Sequence, residues 1–223
     1  NIEMDLGSEQ FVERDSMLPT PESLYKMTDS DFMYEALKDD LLLQLYVAPQ
    51  VESSSLDIER LNVLAEILGE ASLSQDSEEA WLESVQRVRY AYGFAATKQI
   101  IEKAFQFCAQ QNKELMIFLF CPSATRQLLA DEPRYEQPIV DYLDENSLPH
   151  FDMNLVHVED YKSFNLSVSD YMKRYFIGHY SPAGNHFFAF SIKNKVVDWL
   201  DPKPIAYRDD ESRVVDFEGY FPN

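Results

Sequence analysis

The chain has 223 residues, 45% of them hydrophobic, and a formal net charge of −20; this is enough apolar material to bury a real core, in one domain with or without an appendage, and it excludes a disordered chain. The negative charge repels phosphate backbones and anionic surfaces at long range, which excludes nucleic acid as a partner. With 6 Gly against 15 Phe and 13 Tyr, little glycine is left for phosphate-cradling loops and no nucleotide or other cofactor is expected. No run of 18 or more apolar residues occurs, so no membrane span is expected.

Residues 1–28 are polar, carry Pro19 and Pro21, and predict a loop or arm. Residues 30–112 read as mainly helical. Over 30–47, Phe32, Met33, Leu37, Leu41 and Leu45 recur near one face, with Ser30 as the cap. The pattern repeats over 56–69. From Ser77 to about Gln111, Trp81, Val85, Val88, Tyr92, Ala96, Ile100, Ala104 and Phe107 recur at helical spacing, predicting a long helix whose apolar stripe covers a sheet. Asp39-Asp40 and Glu78-Glu79 lack the alternating pattern of a calcium loop and fit solvated helix faces. The acid load is uneven. Residues 1–100 hold 20 Asp or Glu against 7 Lys or Arg, while residues 101–223 hold 19 against 12, so the first half suits a basic protein partner.

Residues 113–205 predict an α/β part. It begins with the strand Glu114-Leu-Met-Ile-Phe-Leu-Phe120, followed by Cys121-Pro122-Ser123 as a helix start. Short helices over 125–130 and 137–143 lead to a second strand over 151–155. Residues 156–178 supply Tyr161, Phe164, Tyr171, Tyr175 and Phe176, which form either the wall of an acyl pocket or the cover of a sheet edge. A closing helix stops near Trp199, where 201–204 read Asp-Pro-Lys-Pro, and an edge strand is predicted over 214–217.

Between the aromatic segment and the closing helix lies His-Tyr-Ser-Pro-Ala-Gly-Asn-His-Phe-Phe-Ala-Phe, residues 179–190. Ser181 suits a helix cap and Pro182 the first helical position. A ring held just ahead of that start feels the positive end of the helix dipole, which disfavours the imidazolium. His179 is therefore the candidate general base. This block, His179-x-x-x-x-Gly184-x-x-x-x-Ala189 followed by an apolar helix, resembles the final sequence block of the SGNH hydrolases, also called GDSL esterases and lipases. The order of strand, Cys121-Pro122-Ser123, short helix, second strand and His179 is similar to the closing part of that fold. The resemblance implies a three-layer, doubly wound, flavodoxin-like α/β sheet in which the histidine activates a serine toward a small or carbohydrate-linked ester.

Two departures from the family pattern stand out. The aspartate usually found two or three residues before the histidine is replaced by Ile177 and Phe176. A dyad, a substitute acid such as Asp152 or Asp160, or an inactive site all fit. No Gly-Asp-Ser turn follows an apolar first strand; Thr28-Asp29-Ser30-Asp31 precedes a helical pattern and suits a cap. Residues 1–223 are expected to be either a single domain of this type or, since the chain starts at Asn1 rather than methionine, the carboxyl-terminal part of one, with upstream strands and the serine elsewhere. Cys121, at the tip of the first strand, offers a second nucleophile for His179. Cys108 and Cys121 imply no disulfide framework, and His150, His157, His179 and His186 lack zinc-site spacing. The alternative to an esterase is a noncatalytic acidic interaction domain on a degenerate scaffold of this type.

Overall fold

The computed structural model describes residues 2–200; the predicted helix stop over 201–204 and edge strand over 214–217 lie outside them. The described residues fall into two compact units, 2–116 with 135–149 and 117–134 with 150–200.

In the first unit, β1 (Ile2–Asp5) and β2 (Gln10–Glu13) form an antiparallel hairpin where the polar composition predicts a loop or arm. Its turn is set by Asp5, whose Oδ1 accepts the N–H groups of Gly7 and Ser8 at 2.9 Å each, an Asx turn. The hairpin lands on Tyr92. Met4 N–H donates to the Tyr92 hydroxyl at 3.2 Å, and Phe11 meets the ring edge-on at 5.4 Å.

The helix predicted over 30–47 is two helices, α1 (Ser30–Leu37) and α2 (Leu41–Val47). Asp29 rather than Ser30 caps α1, accepting from Asp31 and Phe32 N–H, and Asp40 caps α2 by accepting from Leu43 N–H. Each such cap stabilises a new helix start by about 1 kcal/mol, and the apolar spacing runs straight across the break. α3 (Ile58–Ile67) closes at Gly69, φ +75°, where Glu70 N–H donates to Ala65 C=O and Gly69 N–H to Glu66 C=O. α4 (Glu78–Gln110) starts at Ser77, whose Oγ accepts Ala80 N–H, as predicted. Leu45, Leu61, Leu64, Val85 and Val88 make the core. The α4 stripe thus packs on helices and on the small two-stranded sheet of the hairpin. Further along it, Ile100 and Phe107 are exposed and Ile101 is the buried residue.

The second unit starts with β3 (Ile117–Leu119) and α5 (Pro122–Leu129). The chain then supplies α6 (Gln137–Glu145) to the first unit and returns with β4 (His150–Asp152). β3 and β4 pair in parallel, with Ile117, Phe118 and Leu119 opposite His150, Phe151 and Asp152. The second strand is shorter than predicted, because Asp152 Oδ1 accepts Asn154 N–H at 3.0 Å and starts α7 (Met153–Tyr161). α8 (Val168–Tyr175) and α9 (Pro182–Leu200) complete the unit. Its core is Met153, Tyr171, Met172, Tyr175 and Tyr180. The described residues are thus a helix-rich mixture of α and β with two small sheets, and no helix among them is long and apolar enough to cross a membrane.

Candidate functional site

The candidate base sits in a loop whose shape follows from four consecutive constraints. α8 ends at Tyr175 and Phe176 turns extended. Gly178 has φ +93°, a conformation that side-chain-bearing residues rarely adopt. Phe176 and Tyr180 then form an antiparallel bridge, with Ile177 N–H donating to His179 C=O at 2.7 Å and Ser181 N–H to Tyr175 C=O at 2.8 Å. Finally Ser181 caps α9, its Oγ accepting Gly184 N–H at 3.1 Å, with Pro182 at the first helical position. The cap and proline of the sequence block act as predicted.

His179 is exposed at the tip of this loop. Its Nδ1 lies 2.8 Å from the Tyr180 carbonyl oxygen. A carbonyl only accepts, so Nδ1 is a donor, and in the neutral ring the lone pair is on Nε2. A groove of about 600 Å³ between α5 and α8 runs up to the loop, lined among others by Pro122, Arg126, Met172, Phe176 and Gly178.

Gly184 of the block also has a steric reason. A Cβ there would collide with the Tyr175 carbonyl oxygen and lie 2.5 Å from Tyr180 Cδ1, so the first turn of α9 sits against the end of α8 only without a side chain. Gly184→Ala is expected to destabilise by about 1–3 kcal/mol through overpacking, opposite to the usual gain of about 1 kcal/mol for Ala over Gly in a helix. Gly93→Ala in α4, where an added Cβ meets nothing within 4 Å, is expected to show that usual gain. Urea unfolding of both variants checks the pair, and shifts of the same sign would refute the close approach.

Asp152 and Asp160, the two acids considered as partners for His179, are engaged elsewhere. Asp152 pairs with Arg134, both side chains being buried at 8% and 4% exposure. Asp160 Oδ2 accepts hydroxyl protons from Tyr171 and Tyr175, each at 2.9 Å. Cys121 precedes α5, and its N–H donates to Asn154 Oδ1 at 2.9 Å; the same oxygen accepts the Thr125 hydroxyl at 2.8 Å. Asn154 therefore ties together the turns that follow both parallel strands, the end of an open sheet where ligand sites collect. His186 is exposed on α9 and His150 lies in β4. Among the described residues no group of three or more His, Cys, Asp or Glu side chains is placed to hold a metal ion.

The residue that sequence reasoning passed over is His157. It is fully buried, with Nδ1 3.0 Å from the Tyr171 hydroxyl and Nε2 2.9 Å from the Tyr180 hydroxyl. The bonding roles follow from Asp160: Tyr171 donates to the carboxylate, so its oxygen accepts from His157 Nδ1–H, and the unprotonated Nε2 accepts from Tyr180. Burial, partly offset by the Asp160 charge, pushes the His157 pKa down to about 4, and burial raises both tyrosine hydroxyls above their ordinary range. Of the aromatic residues expected to form a wall, Tyr171 and Tyr175 are thus core partners of His157, whereas Phe176 lines the groove. The signal available was the three-residue step from His157 to Asp160 on one helix face and the four-residue step from Tyr171 to Tyr175 on the next.

No family model matches this chain, and no curated protein and no solved structure matches it either.

Proposed function

We propose that this chain belongs to an ester hydrolase or acyl transferase of SGNH type, with a three-layer flavodoxin-like sheet as its scaffold. The substrate class is a small or carbohydrate-linked ester. His179 acts as general base toward a serine not identified in this chain: Nε2 takes the hydroxyl proton as the oxygen attacks the ester carbonyl, and returns it to the leaving group. The observation that carries this reading is the geometry of one ring, solvent-facing, with Nδ1 committed to the Tyr180 carbonyl so that the basic nitrogen is the outer one. Its position just before α9 and beside the groove at Phe176 and Gly178 supports the same reading.

The test is p-nitrophenyl acetate turnover by the longest natural polypeptide containing this chain, beside its His179→Ala variant. A loss of about 10²–10⁴-fold is expected for removal of a general base; equal rates overturn the proposal. Fluorophosphonate labelling that survives Cys121→Ser assigns the nucleophile to a serine, and labelling lost with the thiol assigns it to Cys121. The rival reading, a noncatalytic domain whose acidic first half binds a basic partner, is favoured by the engagement of Asp152 with Arg134 and of Asp160 with two tyrosines. Equal rates in the same assay would select it.

A further inference from the structure

His157 has no part in the chemistry assigned to His179, yet it is bonded to the residue next to it. The Tyr180 hydroxyl holds His157 Nε2 at 2.9 Å, and the Tyr180 carbonyl holds His179 Nδ1 at 2.8 Å. The Tyr180 ring is stacked on Phe176 at 4.7 Å and on Phe120 at 5.6 Å. Phe176 and Tyr180 are also the bridge pair that closes the loop, and Phe176 lies 5.2 Å from the His157 ring. Both ends of the loop that presents His179 therefore rest on one buried imidazole.

We propose that His157 is a positioning residue for His179: acting through Tyr180, it clamps loop 176–181 to the core of the second unit, and taking up a proton releases the clamp. The consequence for turnover rests on the hydrolase reading; the mechanical coupling does not. A neutral His157 offers Nε2 as an acceptor, and Tyr180 fills it. An imidazolium has N–H at both nitrogens. Tyr180 would then have to accept, and its own hydroxyl proton would lose the ring nitrogen that takes it, on a ring packed against Phe176 and Phe188. The new charge would be poorly compensated. Asp160, on the same helix, reaches the ring through the Tyr171 hydroxyl. α8 contributes the hydroxyls of Tyr171 and Tyr175, with the Arg174 guanidinium 5.7 Å from the Tyr175 ring, the loop contributes Tyr180, and α9 contributes the uncharged Phe187. Moving loop 176–181 outward would let water reach the ring and solvate the cation.

The experiment is a side-chain NMR titration of the intact protein from about pH 7 to about pH 3, following the ring Cε1–H signals of the histidines, assigned through their bonds. The His179 signal is expected to shift a second time where His157 takes up its proton. In Tyr180→Phe, which keeps the stacked ring and removes the hydroxyl, that second step is expected to vanish while the methyl signals of Met153 and Met172 keep their folded positions. A His179 signal blind to the His157 transition overturns the proposal. So does a second step that survives in Tyr180→Phe, or a collapse of the Met153 and Met172 signals at the same pH, which would mean unfolding of the whole unit rather than release of a loop. Turnover indifferent to His179 alongside intact coupling would remove the hydrolase reading alone; turnover that needs His179 without coupling would remove the clamp alone.

Discussion

Replacing Arg134 by methionine is expected to destabilise the second unit by about 3–5 kcal/mol, the range for breaking one side of a buried ion pair. The Asp152 carboxylate left behind is 8% exposed and would have lost the guanidinium that compensates its burial. It cannot readily turn outward, because its Oδ1 also accepts Asn154 N–H and starts α7. Asp152→Asn keeps an acceptor for that cap and removes the charge. The double variant Arg134→Met with Asp152→Asn is therefore expected to recover much of the loss, and the four proteins of this double-mutant cycle, unfolded in urea, give the coupling directly. A single variant as stable as the parent would show that the pair is not desolvated.

Acidification is expected to cost the second unit about 3 kcal/mol through His157 alone. The ordinary value of 6.5 applies to the unfolded chain, and burial takes the folded value down to about 4. Above the unfolded value both states hold a neutral ring and pH has no effect through this group. Between the two values the unfolded chain binds a proton that the folded one refuses, so stability falls by about 1.4 kcal/mol per pH unit. Below about 4 both states are charged and the slope ends. Urea unfolding at successive pH values, read on the Met153 and Met172 methyl signals, measures the slope. His157→Gln, which keeps a donor and an acceptor but cannot titrate, is expected to lose it. Carboxylates titrating over the same range are present in both proteins and cancel in the comparison. Parallel profiles would contradict a buried neutral ring.

What could be read from the chain was what is decided locally. The Ser77 cap of α4 and the Ser181-Pro182 start of α9 each depend on a hydroxyl reaching an N–H three residues away, and both were legible. The break between α1 and α2 was not, since Leu37, Leu41 and Leu45 keep helical spacing across it and only Asp40 marks the new start. Asp152 hid the end of β4 in the same way: the apolar residues after it suit strand or helix, and the carboxylate chooses by capping α7. The amino-terminal hairpin was concealed by its polar composition, its stabilising contacts being with Tyr92, 88 residues from Met4. The cluster around His157 was beyond local reading, because its hydroxyl partners lie 14 and 23 residues onward and their meeting is a product of how α7, α8 and α9 pack. His179 was legible as an exposed ring at a helix start; that Asp152 and Asp160 would be spent on Arg134 and on tyrosines was not.

A parallel ribbon three residue pairs long has almost no means of choosing its own alignment. The Asn154 carboxamide supplies one. Because a single oxygen receives both the Cys121 amide and the Thr125 hydroxyl, sliding one strand past the other by a single residue, about 3.3 Å, would pull both donors off their acceptor at once. Asn154 works as an alignment pin, so the lips of this sheet stay level with each other whatever the strands themselves would prefer.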